Sequence, residues 1–232
     1  MKETVLLLPG LLCDRSLWRH QLEYLGSECD LKVADFTEGD SIETFAENAL
    51  NLVPNGNFSM AGLSMGGYVA LEIYKRVPDR VTRIALLDAS PYADLPEHAD
   101  YRRSAMELAK DHGLGEVMES ILGRLIHPSR YEDEELVKTI DAMAHRVGVD
   151  GFLRQQTALL NRVDYVDMLT TVSCPALVLV GRQDTMTPPK IARDMVQALP
   201  QGALVEIENC GHLSTMEQPE AVTALLRYWL QN

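Results

Sequence analysis

Between an apolar, strand-like run at residues 57–61 and a helix-like run at 68–76 stands Gly62-Leu63-Ser64-Met65-Gly66-Gly67. Few short segments restrict a chain so much. A serine at the crest of a strand-to-helix turn takes unfavourable backbone angles, and the two elements approach closely, so neighbouring side chains must be absent. Gly62 and Gly66 supply that clearance. The turn lifts the Ser64 hydroxyl above the end of a sheet. It also sets the residue at a helix N-terminus, where free N–H groups and the helix dipole favour developing negative charge. Gly-x-Ser-x-Gly in this setting is the place of a serine nucleophile. Without the setting it is a glycine-rich turn with an incidental serine, so the remainder of the chain decides.

A serine nucleophile needs a base, and the base needs an orienting acid. Val178-Leu179-Val180-Gly181-Arg182-Gln183-Asp184 reads as a buried strand ending in a turn that carries Asp184, and Pro188 and Pro189 open the next helix. Residues 203–208 alternate as a strand does. Asn209-Cys210-Gly211-His212 follows as a loop, and Glu217-Gln218-Pro219-Glu220 starts a last helix. Ser64, Asp184 and His212 therefore each follow a strand, at the carboxyl ends where ligands bind in open parallel sheets. Asp88, at the end of the fourth strand, is the rival acid.

These residues resemble the α/β-hydrolase superfamily over essentially the whole length. The matches are Leu8-Pro9-Gly10-Leu11, Gly62 to Gly66, Gly181-x-x-Asp184-x-x-x-Pro188, and Gly211-His212 with Glu217-x-Pro219. The resemblance implies an oxyanion loop, a nucleophile elbow, an acid and a base, in that order. Among such proteins the chain resembles small microbial esterases similar to pimeloyl-carrier-protein methylesterase. The chain departs from the usual pattern where Pro9-Gly10 replaces His-Gly, and where only Asp35 to Ser41 follows the second strand. What the resemblance implies is a serine hydrolase cleaving carboxylic esters of small to medium acyl substrates. Ser64 is its nucleophile, His212 its base and Asp184 its acid, and the N–H groups of Leu11 and Met65 form the oxyanion hole.

Strand-like and helix-like segments alternate along most of the chain. Strands are expected at 4–8, 30–35, 57–63, 81–89, 176–180 and 203–207, and helices at 16–25, 42–52, 65–77, 191–199 and 221–230. Such alternation predicts an α/β fold, a mostly parallel six-stranded sheet with helices on both faces. Residues 91–167 break the pattern, with helix-like stretches at 100–112, 116–126, 132–147 and 151–163. We expect a core of 1–90 and 168–232 and an inserted small helical cap of 91–167. Met106, Met118 and Met143 within it, and Met168 just past its end, are candidates for an apolar acyl pocket or for plain packing. Its arginines (102, 103, 124, 130, 146, 154 and 162) are candidates for gripping a substrate carboxylate.

At 232 residues the chain is long enough for one sizeable core. The formal net charge of −13 argues against nucleic acid and anionic membrane surfaces as partners. No apolar run reaches the roughly 18 to 20 residues of a membrane span, and the opening residues read as a first core strand, so a cytoplasmic protein is expected. Cys13, Cys29, Cys174 and Cys210 lack Cys-x-x-Cys spacing and are expected to be reduced. His98, His112, His127 and His145 do not pair with cysteine or carboxylate at metal-ligand spacing, so no metal is expected, and His20 reads as a surface or packing residue. The hydrolase chemistry that the resemblance implies needs no cofactor. The partner expected is a small-molecule ester.

Two rival readings keep the fold. One uses the same three residues for carbon–carbon bond hydrolysis, or for a menaquinone-pathway-like lyase. Against the lyase, Tyr68 stands where its kind has arginine and the Trp-Tyr-x-Gln-Pro segment is missing. The other rival is a non-catalytic small-ligand receptor on a hydrolase scaffold.

Overall fold

The computed structural model of the chain describes residues 2–231. At its centre lie β1 (Thr4–Leu8), β2 (Asp30–Val33), β3 (Phe58–Leu63), β4 (Val81–Leu87), β5 (Ala176–Gly181) and β6 (Gly202–Ile207). They form one sheet of six parallel strands in the order β2-β1-β3-β4-β5-β6. The inner strands β1, β3 and β5 are almost unbroken buried apolar runs, as a parallel sheet covered on both faces requires. The edge strands β2 and β6 are only partly buried.

The helices are α1 (Arg19–Leu25), α2 (Ile42–Leu50), α3 (Met65–Arg76), α4 (Pro96–His112), α5 (Leu114–Leu125), α6 (Glu134–Leu160), α7 (Val166–Leu169), α8 (Pro189–Ala198), α9 (Ser214–Glu217) and α10 (Pro219–Gln231). Alternate residues of each strand point to opposite faces, and this splits the core in two. Leu6, Leu8, Met60, Ile84, Leu86, Val178 and Val180 pack with Ile42 and Phe45 of α2, Val69 and Ile73 of α3, and Met195 of α8. Val5, Leu7, Leu63, Leu87, Leu177 and Leu179 pack with Leu25 of α1 and with Val222 and Leu226 of α10. Full burial of each such leucine or phenylalanine contributes about 1.5–3 kcal/mol. The expected first helix starts differently: Arg15–Trp18 is a 3-10 turn, with the Asp14 side chain accepting the Ser16 N–H, and the α-helix begins only at Arg19.

Between β4 and β5 the chain forms α4 to α7. The boundaries correct the sequence reading. Pro96 opens α4, suited to a first-turn position where its missing N–H costs nothing. Gly113, at φ 80°, separates α4 from α5. The two helices expected at 132–147 and 151–163 are both present: α6 is two helical segments that meet at Gly148, whose φ of 74° and ψ of 170° are not helical. Before the kink, Ile140 and Met143 join the core cluster shared with α1 and α10. After it, Ala158 and Leu159 join the opposite cluster.

The chain builds β2 on one side of β1, then returns to place β3 on the other. Loops leaving β1 and β3 therefore diverge, and a crevice opens between them at their carboxyl ends. Glycines let backbones meet there. A Cβ on Gly62 would lie 2.2 Å from the Gly66 carbonyl oxygen, and one on Gly66 would lie 2.0 Å from that of Leu8. Among the described residues, no helix is long and apolar enough to cross a membrane.

Candidate active site

Ser64 sits between β3 and α3 with φ 53° and ψ −114°, a strained combination for a residue with a side chain. Its N–H donates to Leu87 O at 3.0 Å, and its C=O accepts from Gly67 N at 2.9 Å. The turn is thus held from both sides while the side chain stays partly open to solvent among buried neighbours. Gly10, on the loop after β1, lies against it: a Cβ there would stand 3.4 Å from the Ser64 Cβ. That brings the Pro9 to Leu12 segment beside the hydroxyl. Met65 is the first residue of α3, so its N–H has no partner within the helix.

Three side chains from three strand ends meet. His212 Nε2 lies 2.8 Å from Ser64 Oγ, and His212 Nδ1 lies 2.8 Å from Asp184 Oδ2. An ionised carboxylate only accepts, so Nδ1 carries the proton and Nε2 is free to accept from the serine hydroxyl. Asp184 and His212 are buried, at 3 % and 2 % exposure, whereas Ser64 is not. Close approach of the two bearing loops again depends on glycine: a Cβ on Gly181 would fall 1.9 Å from Gly211 O.

Asp184 is held as an anion by its own turn. Its Oδ1 accepts the N–H groups of Met186 at 2.7 Å and Thr187 at 3.0 Å, and its Oδ2 accepts the Thr187 hydroxyl at 2.6 Å. Burial opposes the charge, but the imidazole and these donors outweigh it and keep the pKa below the ordinary carboxylate value. Burial likewise opposes a charged His212. The adjacent Asp184 carboxylate overcomes this and raises the imidazole above its ordinary 6.5.

The rival acid is placed differently. Asp88 is fully buried at the end of β4, with φ 45°. Its Oδ1 accepts the Gly181 N–H at 2.9 Å and its Oδ2 accepts the Ser214 N–H at 3.2 Å. Both oxygens therefore serve the loops that carry Asp184 and His212 rather than the imidazole itself. Burial, and then the charge of Asp184, push its carboxyl above the ordinary range.

Two further groups escaped the sequence reading. The Thr187 hydroxyl lies 3.3 Å from His212 Nδ1 as well as bonding Asp184. Its place one residue before Pro188 was the available signal. Glu217 was noted only as part of a motif. Its Oε1 accepts the N–H groups of Gly211 and Leu213, on either side of His212, and its Oε2 accepts the His127 N–H at 2.6 Å. The segment after α5 is thereby tied to the histidine loop, and Leu125 O accepts from both His212 N and Leu213 N.

Other candidates are occupied elsewhere. Met118 and Met143 are buried in the core, and Met168 packs against it. Arg102 and Arg162 share Asp94, with Arg162 also 4.4 Å from the Tyr68 ring centroid. Arg103, Arg130, Arg146 and Arg154 pair with Asp100, Asp133, Asp14 and Glu38, and Arg124 stacks over Tyr101. All four cysteines are free and buried, and burial pushes the Cys13 thiol up to about 12. Among the described residues no group of three or more His, Cys, Asp or Glu side chains could hold a metal ion.

Comparison with known proteins gives a consistent picture. Residues 5–225 match the model of the alpha/beta hydrolase family. A thermophilic esterase from Thermogutta terrifontis superposes with a TM-score of 0.91 at 32 % identity, covering 100 % of this chain and 90 % of that one. A pimeloyl-[acyl-carrier protein] methyl ester esterase of Nitrosomonas europaea is 29 % identical over 78 % of this chain and 74 % of its own length. A 2-hydroxy-6-oxononadienedioate/2-hydroxy-6-oxononatrienedioate hydrolase of Paraburkholderia phymatum is 28 % identical over 72 % of this chain and 60 % of its own.

Proposed function

This chain belongs to the alpha/beta hydrolase family, and from that premise we propose that it is a serine hydrolase of carboxylic esters with small to medium acyl groups. The observation that carries this is the unbroken line from Asp184 Oδ2 through His212 to the accessible Ser64 hydroxyl, two contacts of 2.8 Å each. Ser64 Oγ attacks the ester carbonyl carbon as its proton passes to His212 Nε2. The N–H groups of Leu11 and Met65 receive the oxyanion. Collapse expels the alcohol, protonated by His212, and leaves an acyl-serine. A water, deprotonated by His212, attacks the acyl carbon and releases the acid with Ser64 restored. Asp184 stabilises the imidazolium at each proton transfer. The similarity to two esterases supports ester chemistry.

A carbon–carbon hydrolase is the second reading, supported by the similarity to the Paraburkholderia phymatum protein. A fluorophosphonate probe, followed by a panel of esters, thioesters, lactones and diketones, separates the cases. Labelling of wild type but not of Ser64→Ala, with turnover of esters, is the expected result. No labelling at Ser64 would indicate a non-catalytic receptor, and turnover of diketones alone would favour the second reading. In our reading residues 91–167 cap the crevice and select the acyl chain. The four free, buried cysteines support a reducing, cytoplasmic setting.

The rate should fall on the acid side. Only neutral His212 can accept the serine proton, and its pKa is raised, so activity is present above that pKa and lost as pH falls through it. In a profile of kcat/KM against pH with an uncharged ester, the acid limb should be centred above 6.5, the ordinary value. A limb centred well below it would show that Asp184 does not support the imidazolium.

A further inference from the structure

Leu12, on the loop after β1, has φ 58°. The left-handed region is costly for a residue with a branched side chain, and such a conformation persists only where the surroundings impose it. Leu12 is also 4 % exposed, so its backbone N–H needs an internal partner. That partner comes from 143 residues away: the Leu12 N–H donates to Gln155 Oε1 at 2.9 Å. The same amide donates from Nε2 to Phe36 O, on the loop after β2, at 3.2 Å. Gln155 is fully buried and lies on α6 just past the Gly148 kink. Neighbouring contacts lock this part of α6 in place. Arg154 Nη1 donates to Thr37 O at 2.9 Å, and the Cα face of Gly151 lies against Thr37.

We propose that Gln155 is a positioning residue that holds the loop after β1 in its left-handed form, so that the Leu11 N–H faces the oxyanion. The inference rests on the reading of Ser64 as nucleophile. The peptide plane that carries the Leu11 N–H precedes Leu11 and the one bonded to Gln155 follows it. Releasing the second lets Leu12 relax toward negative φ and swings the first away. Through this amide the insertion also reaches the oxyanion site, apart from any contact it makes with the acyl chain.

The test compares wild type, Q155M, L12G and L12G/Q155M with p-nitrophenyl butyrate. Q155M keeps the bulk and deletes both hydrogen bonds. An oxyanion contact forms only in the transition state, so kcat should fall roughly 10- to 100-fold with KM within about two-fold. Glycine adopts positive φ without cost, so in the L12G background the same change should cost only about three-fold or less. A purely structural role would give equal losses in both backgrounds, and that result, or unchanged kcat in folded Q155M, overturns the proposal. Should Q155M fail to fold, Q155N, whose amide sits on a stem one methylene shorter, takes its place with the same expectations. Amide exchange at Leu12 in the wild type needs no variant: strong protection is expected, and exchange at the rate of an open loop overturns the proposal. A wild type that neither hydrolyses esters nor takes up the fluorophosphonate refutes the serine-hydrolase reading itself. An active wild type indistinguishable from Q155M refutes only the role of Gln155.

Discussion

Replacing Ser64 by alanine should lower ester turnover by about 10⁴- to 10⁶-fold while leaving the fold intact, and His212→Ala should do the same. The expectation follows from the geometry. Ser64 Oγ is the one group of the three open to a substrate, and His212 Nε2, 2.8 Å away, is placed to take its proton. Neither side chain holds the sheet together. The turn is braced by backbone bonds to Leu87 and Gly67, and the histidine loop by Glu217 and Leu125. Melting temperatures should accordingly stay close to wild type. The two losses should not add: once either group is gone the relay is broken, so the double variant should be about as slow as each single one. Near-wild-type hydrolysis by purified Ser64→Ala would sink the mechanism.

Asp184→Asn should cost about 10⁴-fold in kcat, and Asp88→Asn far less. An amide at 184 presents an N–H donor or a neutral oxygen where the imidazole needs an anion. It favours the tautomer with the proton on Nε2, which cannot accept from serine. Because Asp184 is what raises the His212 pKa, the acid limb of any residual activity should also move down. Asp88→Asn keeps an oxygen for the Gly181 N–H and loses the acceptor for Ser214. That should cost stability, about 1–3 kcal/mol for an unmet buried donor, more than chemistry. Equal activity losses from the two variants would mean that Asp88 bears directly on the imidazole. Loss confined to Asp88→Asn would place the acid on β4.

The local features were legible because local physics sets them. A Gly-x-Ser-x-Gly turn can be read without the fold, since the clearance it needs is between residues four apart: Gly62 meets Gly66. The near-continuous apolar runs of β1, β3 and β5 announce strands buried on both faces, and Pro189 marks the start of α8. The choice of Asp184 over Asp88 as the candidate acid rests on the spacing Gly181-x-x-Asp184-x-x-x-Pro188, with Asp88 the lesser alternative.

The sequence alone determined which residues stand at strand ends, and so which side chains could meet. Only the tertiary structure decided what holds them. Asp88, Glu217 and Gln155 are polar residues whose partners local patterning does not name. They are buried because their partners lie far away: Asp88 with Gly181 and Ser214, Glu217 with His127, Gln155 with Leu12 and Phe36. The break at Gly148 was legible as the gap between two helical stretches, but the direction it gives the second stretch, which brings Gln155 to the loop after β1, was not. Hydrophobic periodicity records which face of a segment leaves water. It carries no record of which distant backbone N–H a buried carboxylate or amide will satisfy, because that pairing exists only once the chain has closed on itself.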